Sequence, residues 1–261
     1  NSAALKLAGI TKDGPADPEG GVIDRDPKTG EPTGILRESA MGLVASRVPV
    51  VSLSDKVEAL EAAFKHANAH GITSAGDIFG EGDLAVYEQL SPERQTVRTF
   101  LYPIVSELNA THFKAFQGRA GWIELRGFKA YFDGSLGSRT AYMNKPFLGN
   151  TPDRPDWRGL LREGIEDGRF KRNAAAAHAG GWQTIAHAIG DEANHLLLDT
   201  LEATYPNLKA ARCRSEHAQH LLAEDVPRFG RLGVIASMQP YHKADDGRYA
   251  EGYIGPVRSR S

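Results

Sequence analysis

Three side chains in this sequence have the types and spacing to do chemistry together. They are Lys129 in GFKAYFDGSLGSRTA, His187 in TIAHAIGD and His217 in RSEHAQH. Lys129 stands in the middle of a segment that reads as a buried strand, and each histidine stands late in one. With strand alternation, Lys129, Tyr131 and Asp133 share one face. A buried ammonium is costly unless it is paired or neutralised. Three readings follow for Lys129. It is a structural ion pair with Asp133 or another carboxylate, a Schiff-base nucleophile with a lowered pKa, or a lysine carboxylated by carbon dioxide into an anionic metal bridge. A neutral imidazole is a common zinc ligand. His187 and His217 lie on the next two strands after Lys129, and the trio suits one metal held by two imidazoles and a carbamate oxygen.

The elements that must position these residues alternate. From Val51 onward, SLSDKVEALEAAFKHANAHG reads as a helix, ITSAGDIF as a strand, DLAVYEQL as a helix and VRTFLYPIV as a strand. ELNATHFKAFQ, ELRGFKAYFDG, RFKRNAAAAHAGG, WQTIAHAIG, DEANHLLLDTLEAT, RCRSEHAQ, LLAEDVPRFGRLG and VIASMQP continue the alternation of helix and strand. Ser52 and Asp55 have capping-box spacing, and Gly71 stops that first helix. About six strands with crossover helices make an α/β protein with a parallel sheet. No GxGxxG opens a helix, and no Walker-type loop is present. Six such units make either a doubly wound sheet, which would also place ligands at its carboxyl edge, or a partial (β/α)8 barrel. The polar residues at several strand ends, namely Asp77, Lys129, Asp133, His187, His217 and Gln239, favour the barrel, whose strand ends converge on one site. The expected organisation is a helix plus β-hairpin insertion or lid over residues 1–50, then the partial barrel over 51–261. A turn is expected at Lys28-Thr29-Gly30.

Composition removes several functions. Lys+Arg 31 against Asp+Glu 33 gives a net charge of -2, so there is no basic footprint for nucleic acid. No apolar run approaches the roughly 20 residues of a membrane span. The lone Cys213 excludes an internal disulfide and a cysteine-only zinc site, and it reads as a small core residue. A cytoplasmic setting is expected. NSAALKLAGI opens without Met and GPVRSRS ends abruptly, so a longer parent chain is expected.

The stretches NSAALKLAGIT, GGVIDRDPKTGEPTGILRE, GITSAGD, FKAYFDGSLGSRTA, HAIGD, SEHAQH and MQPYH stand in one order over nearly the whole chain. Together they resemble the amidohydrolase superfamily, most closely its family-3 branch of metal-dependent hydrolases. The resemblance implies a distorted (β/α)8 barrel with one or two divalent ions, zinc first among them. It implies that Lys129 on the fourth strand is the carboxylated bridge, and that His187 and His217 on the fifth and sixth hold a metal. It implies that Asp133, Ser135, Arg139, Gln239 and His242 line the pocket of a small amide-type substrate. The family's HxH pair on the first strand has no counterpart, nor does its general-base Asp on the eighth. The resemblance therefore covers strands two through seven, with the ligands of one metal. Two rival functions remain at this point: a Schiff-base lyase or aldolase on the same lysine, and a non-catalytic truncated barrel. Open sheet edges are compatible with a homo-oligomer.

The other candidates have plainer readings. His66, His70, His112 and His178 read as surface groups. His195 reads as a packing or capping residue, and His220 as a neighbour of the pocket. Arg212 and Arg214 read as partners of neighbouring helices. LRES at 36–39 and LLRE at 160–163 read as exposed charged faces.

Overall fold

Asn1 caps the first helix, α1 (Ser2–Leu7), by accepting from the Ala4 amide at 2.9 Å. The computed structural model describes residues 1–80, 83–108, 121–162 and 164–260. The helix expected over 107–117 falls mostly in 109–120, which lies outside the described residues, as do His112 and Glu163. A β-hairpin follows α1, with β1 (Gly21–Arg25) antiparallel to β2 (Pro32–Glu38). Its turn is organised by Asp26, whose Oδ1 accepts from the Lys28 and Thr29 amides at 2.8 and 2.9 Å. Gly30 supplies the positive φ of +75° that closes it. Leu5, Ile10, Ile23 and Ala40 form a small core of their own under this hairpin. The one-turn helix α2 (Gly42–Ala45) then leads towards the barrel.

The helix α3 (Leu53–Ala69) starts at Ser52, which accepts from the Asp55 amide at 3.2 Å and donates to Asp55 Oδ2 at 2.6 Å. Its apolar stripe of Val57, Leu60, Phe64 and Ala67 packs on Phe79, Tyr87, Leu90 and Leu101. The chain then alternates through β3 (Ser74–Gly80), α4 (Leu84–Gln89), β4 (Arg98–Ile104), β5 (Ile123–Leu125), β6 (Gly127–Tyr131), α5 (Arg169–Ala179), β7 (Gln183–Ala188), α6 (Asp191–Thr204), α7 (Leu208–Ala211), β8 (Arg214–His217), α8 (Val226–Leu232), β9 (Ile235–Ser237), α9 (Tyr241–Asp245) and α10 (Ala250–Arg258). Six strands lie in the order β3-β4-β6-β7-β8-β9, and β5 pairs with β4 off that path. Every pairing in this sheet is parallel. The sheet is a curled half-barrel, one of the two parallel arrangements that the alternation of elements allows.

One expected strand is divided. ELRGFKAYFDG forms β5 and β6 with a break at Arg126, whose amide donates to Leu101 O at 3.1 Å. Gly127 then runs so close to β7 that a Cβ there would lie 1.8 Å from Gln183 O. Only glycine allows this approach. The outward face of β6, β7 and β8 meets α5, α6 and α8 in the main core, where Phe128, Phe132, Phe170, Leu197, Leu198 and Leu201 are buried. Cys213 is buried in this core, where burial raises its thiol pKa.

Asp77 does not reach the mouth of the half-barrel. Tyr87 Oη donates to Asp77 Oδ2 at 2.6 Å on the helix side, because alternation turns Asp77 the same way as Phe79. Arg214 also departs from its expected role. It pairs with Glu216 on its own strand at 2.6 Å and lies over the Tyr102 ring, inside the half-barrel. His195 is an ionic bridge between helices. Its Nδ1 lies 3.0 Å from Asp225 Oδ2, and Arg228 holds Asp225 Oδ1 at 2.8 Å and Asp199 Oδ1 at 2.6 Å.

The His195 cluster gives a pH-dependent stability. Burial disfavours the imidazolium, but the hydrogen bond and charge of Asp225, with the charge of Asp199, outweigh burial and raise the pKa. A raised folded pKa makes this contribution complete below the unfolded value of about 6.5, and it is lost as pH rises through the folded pKa. The urea midpoint of the protein is expected to fall relative to that of His195→Gln as pH rises from 6 to 9. Parallel curves for the two proteins would contradict the assignment. Among the described residues no helix is long and apolar enough to cross a membrane.

Candidate metal centre

Lys129 sits mid-strand, in register with Ile104 of β4 and Ile185 of β7. It is only 3% exposed. Burial is the main cause that pushes its pKa down to about 8, with Arg214 adding to the fall and the charge of Glu216 opposing it. Among the described residues its Nζ makes no hydrogen bond or close ion pair, and its nearest aromatic contact is the Tyr131 ring, 4.8 Å from Nζ. The structural ion pair with Asp133 is thus not made. Glu216, two residues along β8 from Arg214, is the carboxylate whose charge acts on the lysine. Sequence reasoning passed over Glu216, although its alternation with Arg214 placed both on the inward face.

His187 lies in register with Tyr131 and Glu216, so its ring joins the face that Lys129 and Tyr131 share. The Tyr131 and His187 ring centroids are 5.5 Å apart. His217 needs a different device. Ser215 is turned to α6, where its Oγ donates to Asn194 Oδ1 at 2.7 Å, and plain alternation would send His217 to that side too. A φ of +79° at His217, followed by +42° at Ala218, breaks the alternation. The ring turns to His187, with centroids 4.6 Å apart and edge-to-face geometry. Positive φ at a non-glycine residue is costly, and functional sites are where such strain is held.

Hydrogen bonds fix which ring nitrogens remain free. His187 Nε2 lies 2.7 Å from the Gly134 carbonyl and 3.4 Å from Asp133 Oδ1. A carbonyl can only accept, so the proton is on Nε2 and the lone pair is on Nδ1. His217 Nδ1 lies 2.8 Å from Gln239 Oε1, while Gln239 Nε2 donates to Ser237 O at 3.4 Å. That leaves the lone pair of His217 on Nε2. Burial pushes the His217 pKa down to about 4, and His187, Lys129 and His242 nearby also disfavour a positive charge on it, so the ring is neutral at pH 7. Each imidazole donates to an oxygen and keeps one lone pair, the arrangement of metal-ligating histidines.

The remaining sequence candidates divide into two groups. Gln239 and His242 are at the centre, with His242 stacked 5.5 Å from His217. Asp133, Ser135 and Arg139 are in the supporting loop. Asp133 is 1% exposed and accepts from the amides of Tyr142 (2.9 Å), Ile189 (3.0 Å) and Gly190 (2.7 Å). Ser135 Oγ is 2.7 Å from Ser138 Oγ. Arg139 turns away under Phe147 and Tyr253, and its Nη2 donates to Asn150 Oδ1 at 3.0 Å.

A family model described as the amidohydrolase family matches residues 1–261. The chain belongs to the amidohydrolase family. It is 36% identical to Protein LONG AFTER FAR-RED 3 of Arabidopsis thaliana, over 99% of this chain and 46% of that protein. It is 32% identical to the putative amidohydrolase YtcJ of Bacillus subtilis (strain 168), over 100% of this chain and 49% of that protein. Among solved structures, an uncharacterized metal-dependent hydrolase from Pyrococcus furiosus superposes with a TM-score of 0.74 at 26% identity, over 100% of this chain and 51% of that one. The chain therefore spans about half the length of the curated relatives it matches. Within this amidohydrolase chain, no group of three His, Cys, Asp or Glu side chains is gathered to hold a metal among the described residues. Two imidazoles with free lone pairs fit a divalent ion only if a third donor joins them. Lys129 is the buried group beside them that has no hydrogen bond or close ion pair among the described residues.

Proposed function

We propose that this chain forms the metal-binding part of a hydrolase that cleaves carbon–nitrogen bonds in small amide-type substrates. The observation that carries the reading is the pair of fixed tautomers, which leave His187 Nδ1 and His217 Nε2 as free donors on rings 4.6 Å apart. Lys129, as its carbamate, and these two histidines would hold a divalent ion, with zinc the first candidate for an imidazole-rich set. Such an ion supplies a Lewis acid and lowers the pKa of a bound water. The chain's own residues set the stage. Gly134 O and Gln239 Oε1 hold the two rings in orientation, and Tyr131 covers Lys129. Gln239 and His242 border the place where a substrate would lie.

Protein purified without chelator is expected to carry close to one divalent ion per chain, measured by inductively coupled plasma mass spectrometry. Zinc or a similar ion at that level supports the reading and directs an amide-substrate screen on the protein. No retained or rebound metal would overturn it.

A further inference from the structure

The hairpin at the start of the chain reaches the loop after β6 through two side chains, Arg37, whose Nη1 donates to Ser138 O, and Glu38. Glu38 ends β2 with φ +52° and ψ −127°, a conformation that costs a non-glycine residue energy. Its carboxylate is directed at the loop after β6. Oε1 accepts from Thr140 Oγ1 at 2.7 Å and from Ser138 Oγ at 3.3 Å. Oε2 pairs with Arg162 Nη1 at 2.9 Å, and both side chains are less than a fifth exposed. Glu38 of LRES and Arg162 of LLRE are therefore not on the exposed faces expected for them, because they meet each other.

Thr140 passes the constraint on. Its Oγ1 accepts from the Ser135 amide at 3.1 Å, and its carbonyl accepts from the Gly134 amide at 3.2 Å. Gly134 is squeezed between the two: a Cβ there would lie 2.0 Å from Thr140 Oγ1 and 2.5 Å from Glu38 Oε1. The Gly134 carbonyl, held in this way, is the acceptor for His187 Nε2. Three consecutive links thus run from Glu38 to Thr140, to the Gly134–Ser135 backbone, and to His187.

Resting on the metal-centre reading above, we propose that Glu38 is a positioning residue for His187. The N-terminal hairpin is then a working part of the centre, and the orientation of the Gly134 carbonyl depends on a carboxylate about 100 residues away. A purely structural role would be to pin the hairpin to the barrel. Arg154 does that separately, pairing at 3.0 Å with Asp17, which also accepts from the Ile23 amide at 2.9 Å. Neither Arg154 nor Asp17 bonds to the loop from Asp133 to Thr140, so Arg154→Ala is the control for hairpin docking alone.

The test reads His187 directly. Long-range proton–nitrogen spectra of the metal-free protein separate the two imidazole tautomers, and loss of the signal in His187→Gln assigns it. The unaltered protein is expected to give a single Nε2–H form. Glu38→Ala and Thr140→Val are expected to give mixed tautomers and to weaken zinc binding about tenfold, the low end for outer ligand partners. Thr140→Ser, which keeps the hydroxyl, and Arg154→Ala are expected to match the unaltered protein. Should Glu38→Ala not fold, the Thr140→Val and Thr140→Ser pair decides. Unchanged His187 tautomers in the Glu38 and Thr140→Val proteins, or an equal change in Arg154→Ala, would overturn the proposal. If the unaltered protein binds no zinc, the metal reading fails by itself, and the spectra still decide whether Glu38 positions His187.

Discussion

Replacing Lys129 by alanine is expected to leave the protein without its metal, at less than about a tenth of the content of the unaltered protein. The two histidines alone offer two neutral donors, one short of the three protein ligands that catalytic zinc sites use. A carbamate as the third would also offset part of the charge of the ion. Lys129 is suited to become that donor because it is buried without a hydrogen-bonding partner among the described residues, and its pKa is pushed down to about 8. Near that pH a large fraction of the amine is neutral. Its nitrogen lone pair would form a bond to the carbon of carbon dioxide, one C=O π pair would move onto oxygen, and the nitrogen would lose its proton to water. The product is a carbamate with one negative charge.

Three outcomes separate the readings of this lysine. Loss of metal in Lys129→Ala, together with slower metal uptake in buffer stripped of carbon dioxide and recovery with bicarbonate, supports the carbamate. Unchanged metal content in Lys129→Ala would end that assignment. An adduct on Lys129 after borohydride treatment with a carbonyl substrate would move the function to a Schiff-base lyase. Lys129→Met, which fills the same space without a charge, guards against reading a cavity in the half-barrel as loss of a ligand.

The histidines and the lysine were legible in the sequence because the signals that mark them are local. The histidines stand late in apolar strands and Lys129 in the middle of one, and the alternation of strand with helix implied that these strands meet around one site. What makes them a centre was not legible. The tautomer of His187 is set by Gly134, 53 residues away, and that of His217 by Gln239, 22 residues away. A period of two predicts that His217 faces the helices, and only the positive φ reverses it. The break between β5 and β6 depends on how closely Gly127 meets Gln183, which no local pattern encodes. Glu38 carries no local signal either. It reads as one more charge at the end of a hairpin, and its meaning comes from Thr140 and Arg162.

Asp133 is where a local signal and the folded structure differ most, and its removal is expected to have the largest effect on stability. It reads as a polar group at a strand end, and the family resemblance implies that it lines the pocket. In the fold, both oxygens are engaged by backbone amides: that of Tyr142, farther along the same loop after β6, and those of Ile189 and Gly190 in the turn between β7 and α6. The turn has no slack, since a Cβ on Gly190 would lie 2.0 Å from Tyr142 O. Asp133→Ala would leave three amides without an acceptor in a place that is 1% exposed at the aspartate. At roughly 1–3 kcal/mol for each unsatisfied buried group, with some relief from entering water, the loss comes to about 4 kcal/mol. For a chain of this size that lowers the melting midpoint by roughly 8–15 °C. Asp133→Asn keeps one acceptor oxygen but sets an NH2 group against at least one amide, so about half of that loss is expected. Calorimetry on the metal-free proteins checks this without any contribution from bound metal. If both variants melt with the unaltered protein and only the KM for a substrate moves, Asp133 faces the substrate after all. If the midpoints fall as expected, the loop that carries Gly134 is held by Asp133 on one side and Glu38 on the other, and His187 is oriented by a frame that contains neither of its neighbours in sequence.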